Sequence, residues 1–535
     1  MRAGRLLASS VALLTAASLL SACSAGNHAG SSAGGDPVRG GTLTYGDIVP
    51  PIWPIGRASQ YTQAALWTNL ADSLVAFDPE TGELVAHLAT AWTADPTNTE
   101  FTFTIREGVT FSDGSALTPQ VVVENFDRWG KGDKELGFTP DPAFAGAYES
   151  ASATGDVVTV KLSKPNRHVL RFLAQPQRGV TSEAYLKLSL KEQSDPKNIV
   201  ASGPFVFESE TPGQEVVLTR RDGYAWPPAN VENKDEAYLD KVVIKVIPEL
   251  GLRAQALESD QIQAATRVLP TDESRLAQQG FVIRPNIAVL ASPDSYAIRT
   301  GNPVLADVRV RKALTLGIDR AALSRDALSD SYAPVYTLQP KKDPSYVSFD
   351  SELAYNPEEA KRLLDEAGWR VGADGFREKD GKKLEITLAG GSQGGGVVDA
   401  GAYLTQQWKQ TLGVKIIDRS GDDTFANSTA SDPDVGLRST RTSLDTGQLT
   451  AFGPGNANNL QDFPELIELI NQDLAATDPE QIKELVRKQL RFVLIDQVLS
   501  IPLYDPTQVV AHSPRLHLEF SGYTAPRFQT AWLER

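Results

Sequence analysis

The chain has 535 residues, 41% hydrophobic and 22% charged, the proportions of an ordinary globular protein rather than of a fibrous, disordered or multi-span membrane one. Its formal charge of −15 disfavours nucleic acid and anionic membrane surfaces as partners, and its single cysteine excludes a disulfide framework. Such a length exceeds what one core can serve, so two or more domains or lobes are expected.

Arg2 and Arg5 precede an apolar run over 6–20 that ends in Leu20-Ser21-Ala22 before Cys23. A basic start, a short apolar stretch and small residues at the cut read as a secretory signal over 1–22, too short for the ~20 apolar residues of a bilayer span. Leu20-Ser21-Ala22-Cys23 resembles the lipobox of bacterial lipoproteins, which implies that Cys23 is lipidated and becomes the new N-terminus. Losing Arg2 and Arg5, with no acid in that segment, moves the charge from −15 to −17. Two or more acyl chains, at about 0.8 kcal/mol per buried methylene, give a stable anchor. Residues 23–38, rich in Gly, Ser and Ala, are expected to form a flexible tether.

The folded part opens with an alternating strand at 42–46, followed by a helix over 63–72 and a strand at 74–77. Asp78-Pro79-Glu80-Thr81-Gly82 reads as a turn and 101–105 as a half-buried strand. Asp113-Gly114 turns the chain, Thr118 caps a helix with Pro119 at its first position running to Trp129, and 157–162 alternates as a strand. Two strands at 203–207 and 215–219 flank Thr211-Pro212-Gly213, and a strand at 241–247 leads to a helix at 250–257. Helices are expected at 308–327 and at 357–367, the latter stopped by Gly368. A strand at 384–388, a glycine loop, a helix at 400–412 and a strand at 414–417 make one unit, and a long helical region spans 464–498. Mixed strands and helices throughout indicate α/β lobes.

Several segments occur in a telling order: 70–84 with its Asp-Pro-Glu-Thr-Gly turn, 88–92, 101–109, 111–118 with Phe111-Ser112-Asp113-Gly114, Ser202-Gly203-Pro204-Phe205, 307–313 with Asp307-Val308-Arg309-Val310-Arg311, Ile318-Asp319-Arg320, 360–369 and Ile501-Pro502-Leu503-Tyr504. Behind a lipobox, this series resembles the family 5 solute-binding proteins of bacterial ABC importers, the group with oligopeptide-, dipeptide- and nickel-binding members. The resemblance covers about 40–535. It implies an α/β fold of the periplasmic binding protein type II kind (cluster C), with two lobes, a hinge and an extra sub-domain in lobe I. By analogy lobe I takes 39–285 with the sub-domain at about 70–198, lobe II takes 286–504, and 505–535 returns to lobe I, the crossings falling near 285–296 and 501–507. It further implies an extracytoplasmic protein, lipid-anchored to the cell membrane in a periplasm or on its outer face. Closing over a peptide or peptide-like solute, it would deliver that solute to transmembrane permease subunits served by separate ATPase subunits. A monomer without cofactor or catalysis is expected. Arg309, Arg311 and Asp319 are expected to stabilise the fold rather than touch solute.

Peptide-binding relatives hold the α-amino group with an aspartate three residues after a tryptophan, and aligned without gaps Thr440 and Ser443 stand in those places here. A serine hydroxyl does not neutralise a desolvated ammonium, although Asp445 takes the role after a two-residue shift. Arg299, with Arg438 or Arg441, is a candidate guanidinium fork for a carboxylate or phosphate, which points to a non-peptide anionic solute as the alternative cargo; the resemblance to nickel-binding members adds a metal chelate. Trp53, Ser59, Gln60 and Tyr61 are first-lobe candidates, and Tyr504 is a candidate wall at the second crossing, with core roles at least as good for Trp53 and Tyr504. Gly390-Gly391-Ser392-Gln393-Gly394 fits a nucleophile elbow with His512 or His517 downstream, making a secreted serine hydrolase the rival class. The run continues through Gly395 and Gly396, too loose for a strained elbow. His28, His87, His168, His512 and His517 show no paired ligand spacing, so no protein-only metal site is expected. No phosphate-binding loop of the Gly-x-x-x-x-Gly-Lys-Ser/Thr type occurs.

Overall fold

A computed structural model describes residues 36–48, 50–57, 63–141, 144, 146–390, 397–419, 434–441 and 463–535. Cys23 and the signal, the tether up to residue 35, Ser59, Gln60, Tyr61, Ser392, Ser443 and Asp445 lie outside the described residues.

Two mixed sheets organise the body. In Thr42–Asp47 alternation buries Leu43 and Tyr45, and this strand lies parallel between Lys241–Val246 and Ala264–Thr266. Glu215–Arg220 and Phe205–Thr211 extend that sheet antiparallel on one side, and Gln508–His512 and Val282–Asn286 complete its seven strands on the other. The second sheet has five strands, in the order Lys415–Asp418, Glu385–Ala389, Val435–Thr440, Asp294–Ile298 and Ser500–Tyr504. Its first three strands are parallel, while Asp294–Ile298 runs antiparallel to both neighbours. The chain therefore passes from the first sheet to the second through 287–293 and returns through 505–507.

A smaller antiparallel sheet of Ala89–Ala94, Glu100–Ile105, Val157–Leu162 and Tyr148–Thr154 belongs to a separate apolar cluster. Helix Pro119–Lys131 covers it, burying Phe126 beside Phe103, and Thr118 accepts from Val121 N at 3.3 Å as the cap its sequence predicts. Gly130 is required there by close approach, because a Cβ would stand 2.1 Å from Tyr148 Cγ.

The single helix expected over 308–327 is two, Val308–Leu316 and Arg320–Ala327. Gly317 ends the first, and the Asp319 side chain turns back to accept from Ala322 N at 2.9 Å and starts the second. Arg309 pairs with Asp307, while buried Arg311 donates to the carbonyls of Leu305, Ala306, Gln497 and Val498, so its partners are backbone rather than acids. The 464–498 region divides likewise into Pro464–Ala475 and Pro479–Arg491, because Asp478 caps the second with Pro479 in its first turn, and a wider turn at Phe492–Asp496 follows.

Candidate binding cleft

Ligands of open α/β sheets bind outside the carboxyl ends of strands where the strand order reverses. Thr42–Asp47 is such a place, since its two parallel neighbours lie on opposite sides. At its carboxyl end Tyr45 and Asp47 meet Thr266, Arg267 and Gln508 around a polar pocket with about 260 Å³ of open space. The alternation that buries Leu43 and Tyr45 also puts Asp47 on the buried face, where burial pushes its carboxyl above the ordinary value. Arg267 follows directly on Ala264–Thr266 with φ +51°, a conformation that costs a residue other than glycine ~1–3 kcal/mol. Arg253, wholly buried, holds that turn by donating to Thr266 O and Arg267 O at 3.0 Å and to Ile247 O at 2.6 Å. The Arg267 guanidinium is pushed down to about 10, first by burial and then by the like charge of Arg441.

Arg441 comes from the other sheet. It follows Val435–Thr440, and its Nε and Nη2 clamp Asp294 Oδ1 and Oδ2 at 2.8 and 2.9 Å. Asp294 opens its strand immediately after the first crossing and stands opposite Tyr504 at the second. The Tyr504 ring packs edge-on against Tyr332 at 6.0 Å, and burial followed by the charge of Asp294 pushes its phenol well above the usual value. The residues at the two crossings thus bring Arg267 of one sheet, itself in range of Asp47, into electrostatic range of Arg441 of the other, and Tyr332 feels the charges of Asp294, Arg441 and Arg267. The arrangement can meet a small charged group with fixed guanidiniums.

Of the candidates read from sequence, Thr440, Arg441 and Tyr504 gather here, with Ser295 Oγ donating to Thr440 O at 3.1 Å and Arg438 on the same strand face as Thr440. The structure sets Arg299 apart from Thr440, Arg441 and Tyr504, although Arg438 stands only two residues beyond Gly436, with which Arg299 bonds. Arg299 N donates to Gly436 O at the opposite end of the strand, roughly 16 Å from Arg441 at ~3.3 Å per residue. Trp53 belongs to the apolar cluster under the seven-stranded sheet: its Nε1 donates to Glu210 Oε2 at 2.8 Å and its ring meets Phe207 edge-on. Asp47, Arg253, Arg267, Asp294 and Tyr332 escaped the sequence reading. Only Asp47 carried a visible signal, an acid on the apolar side of an alternating strand.

A second junction lies on the flank. Arg167 donates to Asp473 Oδ1 and Oδ2 at 2.9 and 3.1 Å, His168 Nε2 stands 3.5 Å from the same carboxylate, and Asn98 Nδ2 donates to Ala476 O at 3.1 Å. These residues tie the smaller sheet's cluster to the helical cluster around Leu466 and Leu490. Burial pushes the Asp473 carboxyl up, but the hydrogen bond from His168 and the charge of Arg167 hold it below its ordinary value.

Residues 83–458 match the family model described as bacterial extracellular solute-binding proteins, family 5 Middle. The chain is 26% identical over 426 residues to oligopeptide-binding protein AppA of Bacillus subtilis (strain 168), covering 76% of this chain and 74% of that protein. It is 23% identical over 354 residues to the nickel-binding periplasmic protein of Escherichia coli (strain K12), covering 64% and 65%. Among solved structures, NikA from Brucella suis in complex with Fe(III)-EDTA superposes with a TM-score of 0.77 at 21% identity, covering 92% of this chain and 100% of that one. AppA from Bacillus subtilis in complex with a nonapeptide gives 0.76 at 21%, covering 93% and 100%. These likenesses show the fold, a two-lobed α/β arrangement of the periplasmic binding protein type II kind.

Proposed function

The chain belongs to the family 5 bacterial extracellular solute-binding proteins, and on that premise we propose that it is the lipid-anchored receptor of an ABC importer, which captures a peptide or peptide-like solute between its lobes and hands it to the permease. The observation that carries this reading is that Arg267 and Arg441, from opposite sheets, lie within range of each other's charge beside the only two chain crossings among the described residues. Hinge bending at 287–293 and 505–507 would move these arginines relative to each other, and a solute favours closure only through contacts made in the closed form. Its carboxylate end meets the arginines. The same two cations favour, as second reading, a non-peptide anionic solute or a metal chelate.

In this reading lobe I takes 39–285 with a sub-domain near 70–198, lobe II takes 286–504, and 505–535 returns to lobe I. Cys23 carries the anchor, the permease and its ATPase are separate subunits, and the receptor acts as a monomer that catalyses nothing. Native mass spectrometry of the protein purified from its own host tests the proposal. A bound small molecule should be released on denaturation, and adding it back to stripped protein should compact the particle in small-angle scattering. Protein that carries nothing and keeps one scattering profile in a mixed solute pool would overturn the reading.

A further inference from the structure

Behind the cleft, on the other side of strand Pro526–Leu533, lies a second pocket with about 630 Å³ of empty space, open solvent at its mouth included. Successive residues of a strand face opposite ways. Pro526 lines the cleft pocket, and Arg527 lines this one. The two pockets share no lining residue, and those of the second all come from 68–87, 174–231 and 521–529.

Arg527 is only 8% exposed, yet none of the described residues accepts a hydrogen bond from its guanidinium or forms an ion pair with it. The charges of Glu519 and Asp78 reach it only at longer range, and burial lowers its pKa. A guanidinium offers five donors, and leaving such a group buried and unmatched is costly. Other polar atoms of the pocket are also unmatched: Thr68 Oγ1 and His87 Nδ1 are buried without a hydrogen-bond partner. Asp72, the one acid in the lining, is already engaged. It accepts from Tyr224 Oη at 3.2 Å and Trp226 Nε1 at 3.1 Å, and His87 Nε2 stands 3.2 Å from it. The rest of the wall is mainly apolar, with Ala76, Phe77, Ala174, Pro176 and Val231.

We propose that this pocket is a second ligand site, distinct from the cleft, for a small monocarboxylate with an apolar body, its carboxylate on Arg527 and its body against Phe77 and Pro176. One available guanidinium matches one negative charge, and the nearby Asp72 disfavours a dianion. The apolar wall selects against bare inorganic anions.

Benzoate titrated calorimetrically into the full-length protein tests this. Saturable binding is expected, weakened roughly tenfold or more in Arg527→Gln. Ala76→Leu, which fills the pocket and keeps the charge, should weaken it similarly, and Arg441→Ala should leave it unchanged. Acetate, lacking the apolar body, should bind more weakly than benzoate. The site is disproved by the absence of saturable binding, by wild-type binding in both Arg527→Gln and Ala76→Leu, by loss of binding in Arg441→Ala (which would put benzoate in the cleft), or by acetate matching benzoate.

Discussion

Arg441–Asp294 and Arg167–Asp473 are both bidentate pairs with a nearly buried carboxylate, but they occupy different mechanical settings. The first joins neighbouring strands of one sheet, so its partners stay together whenever that sheet is folded. The second joins two apolar clusters with separate cores, which on the proposed lobe division belong to different lobes. An ion pair inside a lobe fixes the shape of a surface, whereas one between lobes adds to the balance between open and closed forms.

Substitutions that treat the two pairs alike should therefore give unlike results. Asp294→Ala removes the nearly buried carboxylate that clamps Arg441 at the end of its strand and should cost about 3 kcal/mol of folding stability, read by urea denaturation, with loss of solute binding. Equal stability in variant and wild type would erase the distinction. Asp473→Ala should leave the denaturation midpoint nearly unmoved. It should instead shift the closed form toward the open one by about 2 kcal/mol, the worth of hydrogen bonds to a charged group, seen as a larger radius of gyration without solute.

Acid sharpens the same contrast. The Asp473 pKa is depressed in the folded protein, so its contribution is fully present above the ordinary 3.8 and is lost as pH falls through the lower folded value. Small-angle scattering should show the flank junction loosening only in that acid range, and Asp473→Asn should abolish the transition. Loosening that persists in Asp473→Asn would assign it to another group. Smallest is the effect of Thr118→Ala, which removes a helix cap within the sub-domain and should cost about 1 kcal/mol of stability with no change in radius of gyration. A change in radius would mean that the sub-domain's own stability, rather than its junction, sets the opening.

Elements with local signatures were legible in the sequence. Alternation located Glu100–Ile105 and Val157–Leu162, and Thr118-Pro119 located a helix start to the residue. Strands buried on both faces were not, because Asp294–Ile298 and Ser500–Tyr504 show no alternation and the three residues of Ala264–Thr266 offer too short a pattern. The break at Gly317 was hidden because the residues on both sides keep one apolar period. In the cleft, Arg441 was identified as a type of residue suited to an anion, but its partner Asp294 lies 147 positions away.

Composition, period and motif order by themselves determined the α/β class, most of the elements and the family, since these rest on contacts between residues near in sequence and on the set of residues present. Only the tertiary structure decided which charges meet. It paired Arg441 with Asp294 and Arg167 with Asp473, sent Arg299 to the far end of its strand, and buried Arg527 beside a pocket. The physical reason is that a charge acts over a few ångströms of space, and strand order, which no local pattern encodes, sets which distant segments come that close.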